Sequence, residues 1–256
     1  ILRTIQRLKA DSPLEIVATY LAAHTTPKEF RGRQDEYLDT VLSDAVFGQI
    51  QSDGLAEFCD VFCEKTAFDI PRSRRVLSTA AQFGLRPKVH ADQLSLMGAS
   101  LLAGELGAVS ADHLELIDDA GIAALKRSGT VPVVLPGCSF FLGVGYAPAR
   151  KMIEAGLPLA LATDYNPGSS MMESLPLVMS IACTQMRITP TETLVATTAN
   201  AAAALNRQSR IGAIEVGKQA DLTILDVANL DRWLYEPGRN CVRTVIKSGR
   251  IVHEVE

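Results

Sequence analysis

The sequence predicts a parallel α/β fold, and three observations carry that prediction. Short apolar runs rich in β-formers alternate with longer helical patterns along most of the chain. The helical stretches close on glycine, as in "IPRSRRVLSTAAQFG" and "DAGIAALKRSG", where a helix C-cap belongs. Apolar runs also stop at lone polar residues, as "LPLALATD" stops at Asp164 before the turn "YNPGSS". Such a pattern is that of repeated βα units.

Taken in order, the chain opens in an amphipathic helical pattern, "ILRTIQRLKADSP". Strands are expected at 14–24, 59–64, 86–92, 106–114, 130–137 and 157–164, with helices between them. The apolar "SLPLVMSIACTQM" (174–186) reads as a buried helix in preference to part of a dimer face. "TPTETLVATTANAAAALN" reads as one long helix capped by Thr189 or Thr191. After it, "IGAIEVGKQADLTILDV" and "CVRTVIKSGRIVHEV" read as strands joined by glycine-bearing turns, without helices between them. The expected domains are therefore a βα domain over 1–208 and part of a small β domain over 209–256. Six βα units do not close a TIM-like (β/α)8 barrel, so two further strands are expected upstream of Ile1. The lack of an initiating methionine agrees with a fragment.

With 256 residues and 47% hydrophobic content, the chain can bury a sizeable core. The net charge of -4, from 25 basic and 29 acidic residues, is spread evenly. It leaves no basic stripe for nucleic acid and no polybasic segment for a membrane surface. The apolar runs fall far short of the roughly 20 residues that cross a bilayer, and no signal region opens the chain. A soluble cytoplasmic protein acting on a small molecule is expected. Its five cysteines then read as reduced thiols.

Chemistry in parallel βα folds gathers at the C-terminal ends of strands. Here those ends carry His24, Glu64, His90, His113 and Asp164, and only His253 among the four histidines lies elsewhere. A single histidine at a strand end is usually a hydrogen-bonded structural residue, and an aspartate before Asn-Pro-Gly is often a turn former. Five such positions on successive strands point instead to a metal held by imidazole and carboxylate, zinc or iron, with a position open to water. Water bound there loses its proton near neutrality and becomes a hydroxide nucleophile. Asp164 would act as ligand and general base, and Asn166 and Ser169 in the following turn would hold a polar substrate.

The stretches "KVHADQ", "SADHLE", "LATDYNPGSS", "TANAAAALN" and "GKQADLTILD" resemble the amidohydrolase superfamily. Within it, "AHTTPKEFRGRQDEYLD", "DVFCEKTAF" and "NPGSS" resemble the imidazolonepropionases. The resemblance covers essentially the full length. It implies a metal-dependent hydrolase barrel with a small β-sandwich domain, one Zn2+ or Fe3+ per subunit, and a homodimer. The implied reaction opens the cyclic amide of 4-imidazolone-5-propanoate to N-formimidoyl-L-glutamate in histidine degradation. By the family's pattern His90 and Asp164 are metal ligands. His24 contacts the substrate, Gln93 hydrogen-bonds near the reacting water, and Asn166, Gly168 and Ser169 bind the imidazolone. His113 orients water or substrate.

Two departures from the family stand out. Many members carry glutamate where this chain has Gln93, and glutamine is no proton acceptor. The family's His-x-His pair and a nearby arginine are absent from these 256 residues. Other readings are a different cyclic amidohydrolase, a deaminase, against which Gln93 argues, or a chain without catalysis for want of the His-x-His ligands.

Overall fold

Phe58–Val61 is buried along its whole length, as a strand covered on both faces must be. It is one of a series of parallel strands in a computed structural model that describes residues 1–255. The chain divides into two units, Ile1–Thr130 and Val131–Glu256. Among the described residues no helix is long and apolar enough to cross a membrane.

In the first unit the order is α1 (Leu2–Asp11), β1 (Thr19–Ala23), α2 (Gln34–Val41), α3 (Asp44–Ser52), β2 (Phe58–Val61), α4 (Ile70–Gln82), β3 (Arg86–Ala91), α5 (Ala99–Glu105), β4 (Ser110–His113) and α6 (Asp119–Ser128). The four strands pair in parallel, with Thr19 opposite Phe58, Phe58 opposite Arg86, and His90 opposite Asp112. Asp69 caps α4 by accepting the Arg72 N–H at 3.0 Å, and Asp118 caps α6 by accepting the Gly121 N–H at 2.8 Å. Small residues let α5 and α6 approach closely: a Cβ built at Gly104 would lie 3.0 Å from the Ala124 carbonyl oxygen. Phe47, Phe58, Leu77, Leu102 and Leu125 fill the core of this unit.

The second unit runs β5 (Val131–Val134), α7 (Pro136–Leu142), α8 (Ala149–Glu154), β6 (Ala160–Leu161), α9 (Leu175–Met186), α10 (Pro190–Thr197), α11 (Ala199–Ala204), β7 (Leu222–Leu225), α12 (Leu230–Tyr235), β8 (Val242–Lys247) and β9 (Arg250–Glu254). Strands β5 and β6 are parallel. Val131, Val133 and Leu135 alternate onto one face, where they meet Cys138, Ala160 and Ala204. Strands β7, β8 and β9 form a separate antiparallel sheet. The α/β class holds, and all six expected strands are present at their expected places.

Two expectations need correction. The long helix over 189–206 is broken at Thr198, whose φ of -122° and ψ of -88° separate α10 from α11. The hydroxyls of Thr197 and Thr198 donate back to the carbonyls of Thr193 and Leu194 at 2.9 and 2.6 Å, a bonding pattern that bends helices. Thr189, not Thr191, caps it, in a reciprocal box with Glu192. A helix, α12, also intervenes between β7 and β8, where strands alone were expected. Asn229 starts it by accepting the Arg232 N–H at 2.9 Å. Helix α9 is buried through Val178, Met179 and Ala182 as expected, while Leu177 and Ile181 line a cavity of about 570 Å³ bordered by Leu234 and Tyr235 of α12.

Candidate active site

In the first unit β1, β3 and β4 deliver three histidines to one place. His24 follows β1, His90 is the penultimate residue of β3, and His113 ends β4. The His24 and Phe62 rings stack at 5.3 Å, and His24 meets His90 edge-on at 5.9 Å. The His90 and His113 centroids are 5.2 Å apart. In the second unit His253 is exposed on β9.

Charged residues that the sequence reasoning missed flank this cluster. Asp60 of β2, 4% exposed, places Oδ2 3.0 Å from His90 Nδ1. Asp112, opposite His90 in register, accepts the Ser110 hydroxyl at 2.7 Å and faces Lys88 Nζ at 3.9 Å. Burial raises the Asp60 pKa, but His90 and Lys88 outweigh it and hold the carboxyl below its ordinary value. The donor atoms of Asp60, His90 and Asp112 all lie within 4.8 Å of one another, a spacing a cation could bridge. The Lys88 ammonium lies beside them and offsets part of their negative charge. The signal for Asp60 was a lone aspartate inside the apolar run "FCDV".

Two buried carboxylates fix the loop that carries Gln93. Asp92 accepts the N–H groups of Met97, Gly98 and Ala99 on Oδ1 at 3.2, 3.1 and 3.0 Å, and that of Ser100 on Oδ2 at 3.1 Å. Glu64 accepts those of Leu94 and Ser95 at 2.9 and 3.0 Å, and also the Ser95 hydroxyl. Among the strand-end candidates, Glu64 thus serves as a scaffold for the loop. Gln93 sits half-buried between these anchors.

In the second unit Asp164 follows β6, and its loop is self-bonded. Asn166 Oδ1 accepts the N–H groups of Gly168 and Ser169 at 2.8 and 2.9 Å, and Asn166 Nδ2 donates to the Asp164 carbonyl at 2.7 Å. The Ser169 hydroxyl donates to Asp164 Oδ2 at 3.5 Å. Ser170 is fully buried and donates to the Thr163 carbonyl at 3.0 Å. Asp164, Asn166, Gly168 and Ser169 are thereby brought together, as His24, His90 and His113 are in the first unit.

Left-handed backbone marks these strand ends. Asp92, His113, Leu114 and Asp164 have φ of 46°, 79°, 69° and 52°. Such values are uncommon outside glycine, cost on the order of 1–3 kcal/mol each, and cluster at functional sites.

The residues fit a metal in two respects. Imidazole and carboxylate are the donors that zinc and iron take. In addition, His113 is buried while its Nδ1 has no hydrogen-bond partner among the described residues; Glu115 Oε1 is 3.7 Å away. A buried polar atom left so is costly unless something further meets it.

The fold and these donors define a class: parallel βα proteins whose strand ends gather imidazoles and carboxylates. A model of the amidohydrolase family matches residues 79–252. The chain belongs to that family. It is 47% identical to the imidazolonepropionase of Alkaliphilus oremlandii over 99% of its own length and 60% of the relative's. Against the imidazolonepropionase of Bacteroides fragilis (strain YCH46) the identity is 48%, over 99% of this chain and 61% of the relative. The chain thus spans about three fifths of the length of these relatives. Among solved structures, a zinc-bound adenosine deaminase from Xanthomonas campestris aligns with a TM-score of 0.77 at 22% identity, over 98% of this chain and 63% of its own. A triazine hydrolase from Arthrobacter aurescens also aligns at 0.77, with 18% identity, over 99% of this chain and 64% of its own. Likeness at this identity speaks for the fold.

Proposed function

We propose that the protein carrying this chain hydrolyses the ring amide of 4-imidazolone-5-propanoate to N-formimidoyl-L-glutamate, as an imidazolonepropionase of histidine degradation. The observation that carries the reading is the identity of 47–48% over nearly the whole chain to imidazolonepropionases. The convergence of His24, His90 and His113 supports it.

His90 and Asp164 would hold zinc or iron. When bound, the metal polarises the ring amide and acidifies water. The remaining work falls to this chain's side chains. The Asp164 carboxylate takes a proton from the attacking water and returns it to the ring nitrogen as the carbon–nitrogen bond breaks. The buried His113 orients the water or the substrate, and His24 contacts the imidazolone. Gln93 can donate or accept a hydrogen bond but not take up a proton, so in this reading base chemistry rests on Asp164. Asn166, Gly168 and Ser169 hold the substrate by exchanging hydrogen bonds they now make among themselves. We further propose a cytoplasmic homodimer acting on a small molecule, with residues 209–256 as part of a small β domain.

The test compares substrates in the protein at the full length of its relatives, loaded with zinc or with iron. Turnover of 4-imidazolone-5-propanoate well above that of cyclic ureides and aminated heterocycles is expected. Preference for an aminated ring, with release of ammonia, would replace the reading with deamination.

A further inference from the structure

Asp60 opens the stretch "DVFCEKTAF" but has no role in the reaction proposed above, and it is the carboxylate set against the imidazole of His90. The pleat places Lys88 and His90 on one face of β3, and Asp60 reaches that face from β2. The carboxylate has two neighbours: Oδ1 accepts the N–H of Val61 at 2.6 Å, and Oδ2 lies at ion-pair distance, 3.0 Å, from His90 Nδ1. It is 4% exposed, so water does not compete for these contacts.

We infer that Asp60 is a positioning residue that fixes His90 in the tautomer with hydrogen on Nδ1, leaving the Nε2 lone pair as the donor His90 offers a metal. An ionised carboxylate only accepts hydrogen bonds, so an imidazole nitrogen facing it must carry the hydrogen, and the neutral ring then has its lone pair on the other nitrogen. Carboxylate–histidine pairs of this kind set ring orientation and raise ligand basicity in metal sites generally. The inference rests on the reading of His90 as a metal ligand for its consequence, but the tautomer itself does not.

The geometry makes a sharp test available. In Asp60→Asn the amide oxygen is claimed by the Val61 N–H, which turns the amide nitrogen toward His90. That nitrogen donates, so His90 must accept on Nδ1 and carry its hydrogen on Nε2. In Asp60→Ala the bias disappears without being reversed. Both variants and the wild type are to be made at the full length of the relatives. Long-range proton–nitrogen spectra of the metal-free proteins give the His90 tautomer, and competition with a chromophoric chelator gives the affinity for zinc ion.

The expected result is hydrogen on Nδ1 in the wild type and on Nε2 in Asp60→Asn. Zinc affinity should fall about 10- to 100-fold in Asp60→Asn, and by less in Asp60→Ala. A purely structural role predicts the opposite order, since asparagine preserves the volume that alanine deletes. The same tautomer in wild type and Asp60→Asn, or alanine binding zinc more weakly than asparagine, overturns the inference. A wild type that binds no zinc overturns the metal-site reading instead, and the tautomer spectra still decide the role of Asp60. Should Asp60→Ala fail to fold, the isosteric Asp60→Asn carries the test alone.

Discussion

The Glu64 carboxylate accepts the backbone N–H of Leu94 at 2.9 Å, thirty residues along the chain, and in doing so ties the end of β2 to the loop after β3. Ser95 adds its N–H to the same oxygen at 3.0 Å. Glu64 is 1% exposed, so its removal leaves the part-buried N–H groups of Leu94 and Ser95 without their charged acceptor. Glu64→Ala should lower stability by about 3 kcal/mol, the scale of losing buried bonds to a charged acceptor. Urea unfolding measures this, and amide exchange at Leu94 and Ser95 should accelerate in the same variant. An unfolding midpoint equal to that of the wild type would show that the loop holds itself.

Gly121 sits where α6 crosses α5. A Cβ there would overlap the Ser100 hydroxyl and come within 2.8 Å of Ile117 Cγ1. Ser100 is fully buried, leaving it little room to turn away. Gly121→Ala should therefore destabilise by about 1–3 kcal/mol through overpacking, against the usual helical gain from alanine. Thermal unfolding distinguishes the two: a raised melting temperature would mean that the interface relaxes.

Local signals made much of this legible. The six strands stood out as short apolar runs between turn residues, and Asp164 with its Asn-Pro-Gly turn stood out because polarity changed abruptly at a strand end. The break at Thr198 did not, because alanine-rich sequence on both sides favours helix and the interruption comes from hydroxyls bonding back to the chain. Glu64 looked like a chemical group, since its partners Leu94 and Ser95 are distant in sequence. Asp60 and Asp112 were missed for the same reason in reverse. Asp60 is the one polar residue of a buried strand and Asp112 one of three polar residues in β4, and only lateral pairing of β2, β3 and β4 sets them against His90 and Lys88.

Asp164 is given two tasks in the proposed reaction, ligand and base. Its main folded-state contact in its own loop is the 3.5 Å bond from Ser169, and its backbone carbonyl, which is kept in any variant, receives Asn166. Asp164→Asn should therefore cost several orders of magnitude in turnover, with unfolding nearly unchanged. Steady-state kinetics on the full-length protein, paired with thermal unfolding, test both halves. Near-normal turnover would remove Asp164 from the mechanism.

Acid stability should depend on Glu192. Arg150 grips its carboxylate with two bonds, at 2.9 and 2.6 Å, and also donates to the Arg187 carbonyl. Hydrogen bonding from Arg150, aided by Thr189 and opposed by burial, pulls the Glu192 pKa down to about 2 from 4.5. A depressed folded-state pKa means that the unfolded chain binds the proton first as pH falls. The stabilisation is thus whole above pH 4.5 and disappears as the pH approaches 2. Since both side chains are about 30% exposed, solvent screening cuts the contribution to about 1 kcal/mol. Glu192→Gln should be less stable than the wild type at neutral pH by that amount, and the difference should shrink steadily below pH 4.5. Urea unfolding at a series of pH values gives the comparison. A difference that stays constant down to pH 2 would assign the effect to the cap at Thr189 rather than to the ion pair.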